Sequence, residues 1–156
     1  VYFTVDGASL GGGLGADVFF APPAAPFVLF APAPVLGLAP GDEIDALAVW
    51  DDDPSNPGVP NGVADPGVDY VIFSLAPGSP FLSAMGLSPA DVLVTDFGGT
   101  NSLYLSAASL GLLPTDNLDA IDVEFGMTPQ VFEVPEPATM GLLALGGLAL
   151  LRRRRS

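Results

Sequence analysis

A chain of 156 residues carries 18 acidic side chains against four basic ones and no histidine, for a formal net charge of −14. All four cations are the run Arg152, Arg153, Arg154 and Arg155, and cysteine is absent, so side-chain salt bridges, disulfides, thiolate metal sites, Ser-His dyads and Schiff-base amines are excluded from residues 1–151. Nucleic acid is excluded as a partner by the same inventory, because affinity for phosphate backbones rests on cations that displace counterions; 49% hydrophobic residues still allow one modest core or part of a repeat array.

The chain opens on Val1-Tyr2-Phe3-Thr4-Val5, a strand-like run with no initiator Met, basic leader or long apolar stretch, and is expected to be a fragment beginning partway into a repeat. Gly11-Gly12-Gly13-Leu14-Gly15 is followed by no Lys and opens no helix, so it reads as a turn rather than a phosphate loop. An internal duplication organises residues 1–125. At a shift of 74, Leu36-Gly37-Leu38-Ala39-Pro40-Gly41-Asp42-Glu43-Ile44-Asp45-Ala46 falls on Leu110-Gly111-Leu112-Leu113-Pro114-Thr115-Asp116-Asn117-Leu118-Asp119-Ala120, and Ala16-Asp17-Val18 falls on Ala90-Asp91-Val92. With a small change of length, Val1–Val5 matches Val71–Leu75.

Short runs rich in β-branched and aromatic residues, bounded by Gly and Pro, predict four strands per copy: 1–5, 17–20, 27–30 and 44–50, then 70–75, 91–95, 102–106 and 118–125. No segment has the length and period of a helix ahead of residue 135. In the last strand of the second copy, Ile121, Val123 and Phe125 alternate with Ala120, Asp122 and Glu124, which predicts one buried face. The expected fold class is therefore all-β, with tandem four-stranded repeats over 1–50 and 70–125 that suit either propeller blades or a β-sandwich. Residues 51–69 form an acidic Pro/Gly loop between the repeats, and residues 126–134 a linker.

Carboxylates are the only chemical instruments in quantity. Asp42 with Asp45, and Asp116 with Asp119, recur at equivalent turns and make candidate Ca²⁺ ligands, with Asp51, Asp52 and Asp53 clustered nearby in sequence. The alternative is that Asp42 and Asp116 accept amide hydrogen bonds within their turns. Neither cluster follows the spacing of a calcium-binding loop. Trp50 offers a platform for a sugar ring, or else fills a core or rim position. Recurrence of the acidic pairs in both copies points to a structural role, so the chain is expected not to be an enzyme.

From Pro135-Glu136-Pro137 the chain changes character. Two prolines hold the backbone around Glu136 extended, as a processing enzyme requires of its substrate. Residues 138–151 are uncharged and mainly apolar; as a helix they span ~21 Å at ~1.5 Å per residue. That is short of a hydrocarbon layer of about 30 Å, but Arg152 to Arg155 hold the end at the cytoplasmic face, and their stems snorkel to lengthen the span. A short transmembrane helix over 138–151 is the expectation. The order Pro-Glu-Pro, apolar helix and basic end over 135–156 resembles the PEP-CTERM sorting domain. That resemblance implies export by a Gram-negative cell, an exosortase-type membrane protease as partner, an inner-membrane intermediate with the N-terminal part periplasmic, and final delivery to the cell surface or exterior. It also implies an association with exopolysaccharide or biofilm matrix. The expected function is a non-catalytic surface or extracellular-matrix protein; the alternatives are a secreted carbohydrate-active enzyme using paired carboxylates and a permanently membrane-anchored binding module.

Overall fold

A computed structural model of the chain describes residues 1–5 and 15–123. The linker 126–134 and the tail 135–156 lie outside the described residues, as does the expected helix 138–151. Among the described residues no helix is long and apolar enough to cross a membrane.

The described chain is mostly β. Seven strands form two antiparallel sheets. The first is a meander of β1 (Tyr2–Phe3), β2 (Val18–Phe20) and β3 (Val28–Ala31). The second runs in the order β4 (Ile44–Trp50), β5 (Tyr70–Leu75), β6 (Val92–Thr95) and β7 (Ser102–Leu105). Each strand is dense in Val, Ile, Leu, Phe and Tyr, which fit a pleated, half-buried surface.

The two meanders share one register. Tyr2 pairs with Phe20 and Phe3 with Phe19, just as Ile72 pairs with Val94 and Phe73 with Leu93. Val18, Phe19 and Phe20 pair with Ala31, Leu29 and Val28; adding 74 to every number gives the partners of β6 and β7. Both meanders carry a bulge at the same place, between Val18 and Phe19 and between Val92 and Leu93. Each is followed by a 3₁₀ turn, Ala33–Leu36 or Ala107–Leu110, closed by Gly37 at φ 75° or Gly111 at φ 74°. A left-handed residue there favours glycine, because a Cβ would crowd the carbonyl that comes after it.

Two expectations are corrected. The strands do not divide four and four: β4, the last strand of the first copy, leaves its own meander and pairs along its length with β5, from Ile44 opposite Leu75 to Trp50 opposite Tyr70. Residues 118–123, predicted to lie in the eighth strand, form no strand. The physical reason is the same in both cases: a strand in this position is completed by the first strand of a following copy, and 118–123 have none among the described residues. The helix-free expectation is also amended, since Pro80–Met85 form α1, with Pro80 in its first turn and Gly86 ending it at φ 67°.

The core lies between the sheets. Val18, Phe30, Ala31 and Leu36 from the first copy meet Ile44, Val71, Phe73, Leu75 and Leu93 of the second sheet. Tyr2 stacks on Phe20 with ring centroids 5.0 Å apart and meets Phe30 edge-on at 5.0 Å, and Phe30 meets Phe97 edge-on at 5.5 Å. Phe97 is buried at φ 62°, a left-handed conformation unfavourable for a bulky side chain, which its burial in the core offsets.

Candidate functional site

Residues 1–151 hold no basic side chain, and the carboxylates of the described domain find most of their partners in backbone amides. Asp17 and Asp91 accept from the amides of Ala33 and Ala107 at 2.8 and 2.7 Å, tying each meander to its 3₁₀ turn. Asp42 and Asp116 accept from Ala39 and Leu113, three residues back, at 2.9 and 2.8 Å. These are the amide contacts expected of such turns. Asp42 is buried and also accepts from the amide of Phe81 at 2.8 Å, so it joins its turn to α1. Asp116 is only half-buried.

The remaining calcium candidates are placed differently. Asp45 accepts from the Asn117 side-chain amide at 2.6 Å, a link between equivalent turns of the two copies, and Asp119 is exposed. Among the described residues, no group of three Asp or Glu is arranged to hold a metal ion.

The densest carboxylate cluster orders the 51–69 loop. Asp51 is buried, accepts from the Tyr2 hydroxyl, and takes the amides of Asn61 and Gly62 at 3.0 and 2.7 Å. Asp69 is wholly buried, accepting from the amides of Asp52 and Asp65 at 2.9 and 2.7 Å. Asp52 accepts from Gly58, and Asp53 from the amide and hydroxyl of Ser55 at 2.8 and 2.6 Å. The loop is irregular, as its Pro and Gly content predicts, but its ends are buried. Gly62, at φ 73°, lies so close to Phe20 that a Cβ would sit 2.6 Å from the ring, and this pins the loop on the first sheet.

Burial and hydrogen bonding shift the protonation of Asp69, Asp53 and Tyr2. Burial pushes the Asp69 carboxyl up from the ordinary range, the two amide donors opposing it, with the Asp51 and Asp65 charges adding to the rise. The Ser55 hydroxyl and amide hold Asp53 below that range. Burial, then the hydrogen bond and charge of Asp51, keep the Tyr2 phenol protonated well beyond its usual limit. A hydroxyl that donates to a carboxylate and a carboxylate wrapped in amides clamp the loop to the first sheet.

Trp50 is half-buried at the end of β4, opposite Tyr70. The Gly-rich run is described only at Gly15, whose carbonyl accepts the Ile44 amide at 3.1 Å. Asp69 is the residue sequence reasoning missed, and Asp51, grouped there with Asp52 and Asp53 for calcium, was not seen as a buried loop anchor. The signal for Asp17 and Asp91 was present in their matched positions; for Asp51 and Asp69 there was none, since their donors come from distant points of an irregular loop.

The sorting residues Pro135, Glu136 and Pro137 and the basic run Arg152 to Arg155 lie outside the described residues. No curated protein and no solved structure matches the chain. The PEP-CTERM protein-sorting motif matches residues 133–155, beginning two residues ahead of Pro135, and the chain therefore carries the signal of an exported protein that an exosortase processes at the membrane.

Proposed function

We propose that this is a non-catalytic protein of the cell surface or extracellular matrix. Residues 138–151 span the inner membrane as a helix during export, with Arg152 to Arg155 on the cytoplasmic side and the repeats in the periplasm. Cleavage near Pro135-Glu136-Pro137 then frees the repeat domain, which associates with exopolysaccharide outside the cell. The observation that carries this reading is the sorting motif over 133–155.

One feature of the domain supports the non-catalytic role. Its buried carboxylates among the described residues, Asp42, Asp51, Asp69 and Asp91, are each engaged by two or more donors, so they act as anchors of the chain. The finer fold that suits this role is a stack of blade-like sheets, each completed by a strand of the preceding copy. The intact mass and location of the protein in its native host test the proposal. The wild-type chain is expected outside the inner membrane and shortened near Pro135, whereas Pro135→Ala/Glu136→Ala/Pro137→Ala is retained at full length in the membrane. A mature wild-type protein that keeps its tail would overturn the release step and leave an anchored binding module; a reporter fused after Ser156 that proves periplasmic would overturn the topology.

A further inference from the structure

Both halves of the internal junction between the two sheets recur, one at each end of the described domain, and neither recurrence faces a partner sheet among the described residues. In the first meander Phe30, Ala31 and Leu36 are 6%, 0% and 0% exposed because the second sheet covers them. Their equivalents in the second meander, Tyr104, Leu105 and Leu110, are 50%, 38% and 41% exposed. A Cβ on Gly37 would meet the Gly99 carbonyl at 3.0 Å across the junction; on Gly111 it would meet nothing within 4 Å. This is the uncovered half of a surface that the same chain shows covered.

The opposite half is at the other end. Phe73 and Leu93 are the residues that the second sheet presses into the junction. Their equivalents are Phe3, half-buried, and Phe19, buried, which gather with Phe27 at centroid distances of 5.6–5.7 Å, and the Phe27 ring is exposed over them. β1 is an edge strand among the described residues, whereas its equivalent β5 is flanked by β4.

The strand that fits this edge is already aimed. The Ile44 amide donates to Gly15 O at 3.1 Å, and Thr4 Oγ1 donates to Ile44 O, as β4 sets out for the second sheet. Leu118 repeats both contacts, its amide donating to Pro89 O at 3.4 Å and its carbonyl accepting from Ser74 Oγ. Residues 118–123 thus set out as β4 does, with no sheet to join among the described residues.

We propose that copies of this chain associate head to tail, residues 118–123 of one copy adding to the edge of β1 that is unpaired among the described residues of the next, while the Tyr104, Leu105 and Leu110 face seats the Phe3, Phe19 and Phe27 face. The register is that of β4 and β5, where Leu47, Ala48 and Val49 oppose Phe73, Ile72 and Val71. It places Ile121, Asp122 and Val123 of one copy opposite Phe3, Tyr2 and Val1 of the next. Backbone pairing along a sheet edge supplies the affinity and the alternating apolar side chains set the register. The two surfaces differ, so the contact is heterologous and propagates into a filament or closes into a ring. The proposal stands apart from the sorting signal: it requires only the described domain.

Because cysteine is absent, single introduced thiols report the contact. Ala46 opposes Ser74 within the chain, so Ala120→Cys in one copy should oppose Thr4→Cys in the next. Oxidising an equal mixture of the two full-length variants in detergent is expected to yield the mixed disulfide dimer as the main product, with neither variant cross-linking alone. The unsubstituted chain should show multimers by light scattering, and Tyr104→Asp/Leu110→Asp should weaken them by at least about tenfold. A wild-type chain that stays monomeric at every concentration, as when residues 124–156 cover the face, overturns the proposal. So does self-cross-linking of either single variant to the same yield as the mixture, or assembly that Tyr104→Asp/Leu110→Asp leaves unchanged, as when the tail drives it.

Discussion

Asp69 shows how an acidic domain without cations uses a carboxylate. Its two oxygens take the amides of Asp52 and Asp65 and so close the 51–69 loop over a buried position. Removing an acceptor strands buried donors at roughly 1–3 kcal/mol each. Asp69→Ala is therefore expected to lower the unfolding free energy by about 2–5 kcal/mol in urea titration, and Asp69→Asn by less, since its carbonyl oxygen still accepts. The protonation shifts give a pH dependence of definite sign. The raised Asp69 value means the folded state binds that proton more tightly than the unfolded chain, so its penalty is present at neutral pH and is relieved as pH falls through the folded value. Asp53 is depressed, so its contribution is present above the unfolded carboxylate value and is lost as pH falls through its lower folded one. Thermal midpoints should rise as pH drops from neutrality towards the upper carboxylate range and fall at stronger acidity, and Asp69→Asn should flatten the rising limb alone.

At the scale of elements, equivalent turns have unequal surroundings. Asp42 caps its turn and also holds the α1 amide of Phe81, while Asp116 caps only its turn. Asp42→Ala is expected to cost about 2–4 kcal/mol and Asp116→Ala about 1 kcal/mol or less, measured by chemical unfolding of the two variants side by side. The duplication, the turn caps and six of the seven strands were legible in sequence to within a residue or two, because each depends on local alternation and on turn residues at fixed spacing. β1 was placed too, but only two of its five expected residues pair. What local pattern did not reveal was the destination of β4. Alternation fixes which face of a strand is buried, and says nothing of which neighbour its edge meets. α1 escaped notice because six residues are too few to display a helical period.

For the whole molecule the governing quantity is charge. Every acidic group lies ahead of the arginine run, so the domain repels itself and is stabilised by screening. Raising salt from low ionic strength to about 0.15 M, where the screening length is about 8 Å, should raise the thermal midpoint. The midpoint would fall instead if salt acted mainly on the amide–carboxylate contacts. The same repulsion opposes the head-to-tail contact, so assembly should strengthen with salt as stability does.

Sequence by itself determined the address and the building material of this protein. An ordered tripeptide, apolar run and basic end are read as linear chemistry by a membrane and a protease, and a shift of 74 in a string of residues needs no coordinates to be seen. The tertiary structure decided how the copies join: that the last strand of the first completes the sheet of the second, that Asp51 and Asp69 are buried clamps, and that Tyr104, Leu105 and Leu110 are partly exposed where Phe30, Ala31 and Leu36 are covered. Pairing across a sheet edge and burial between sheets both depend on residues distant in the chain, and such distances are set only when the whole chain has folded.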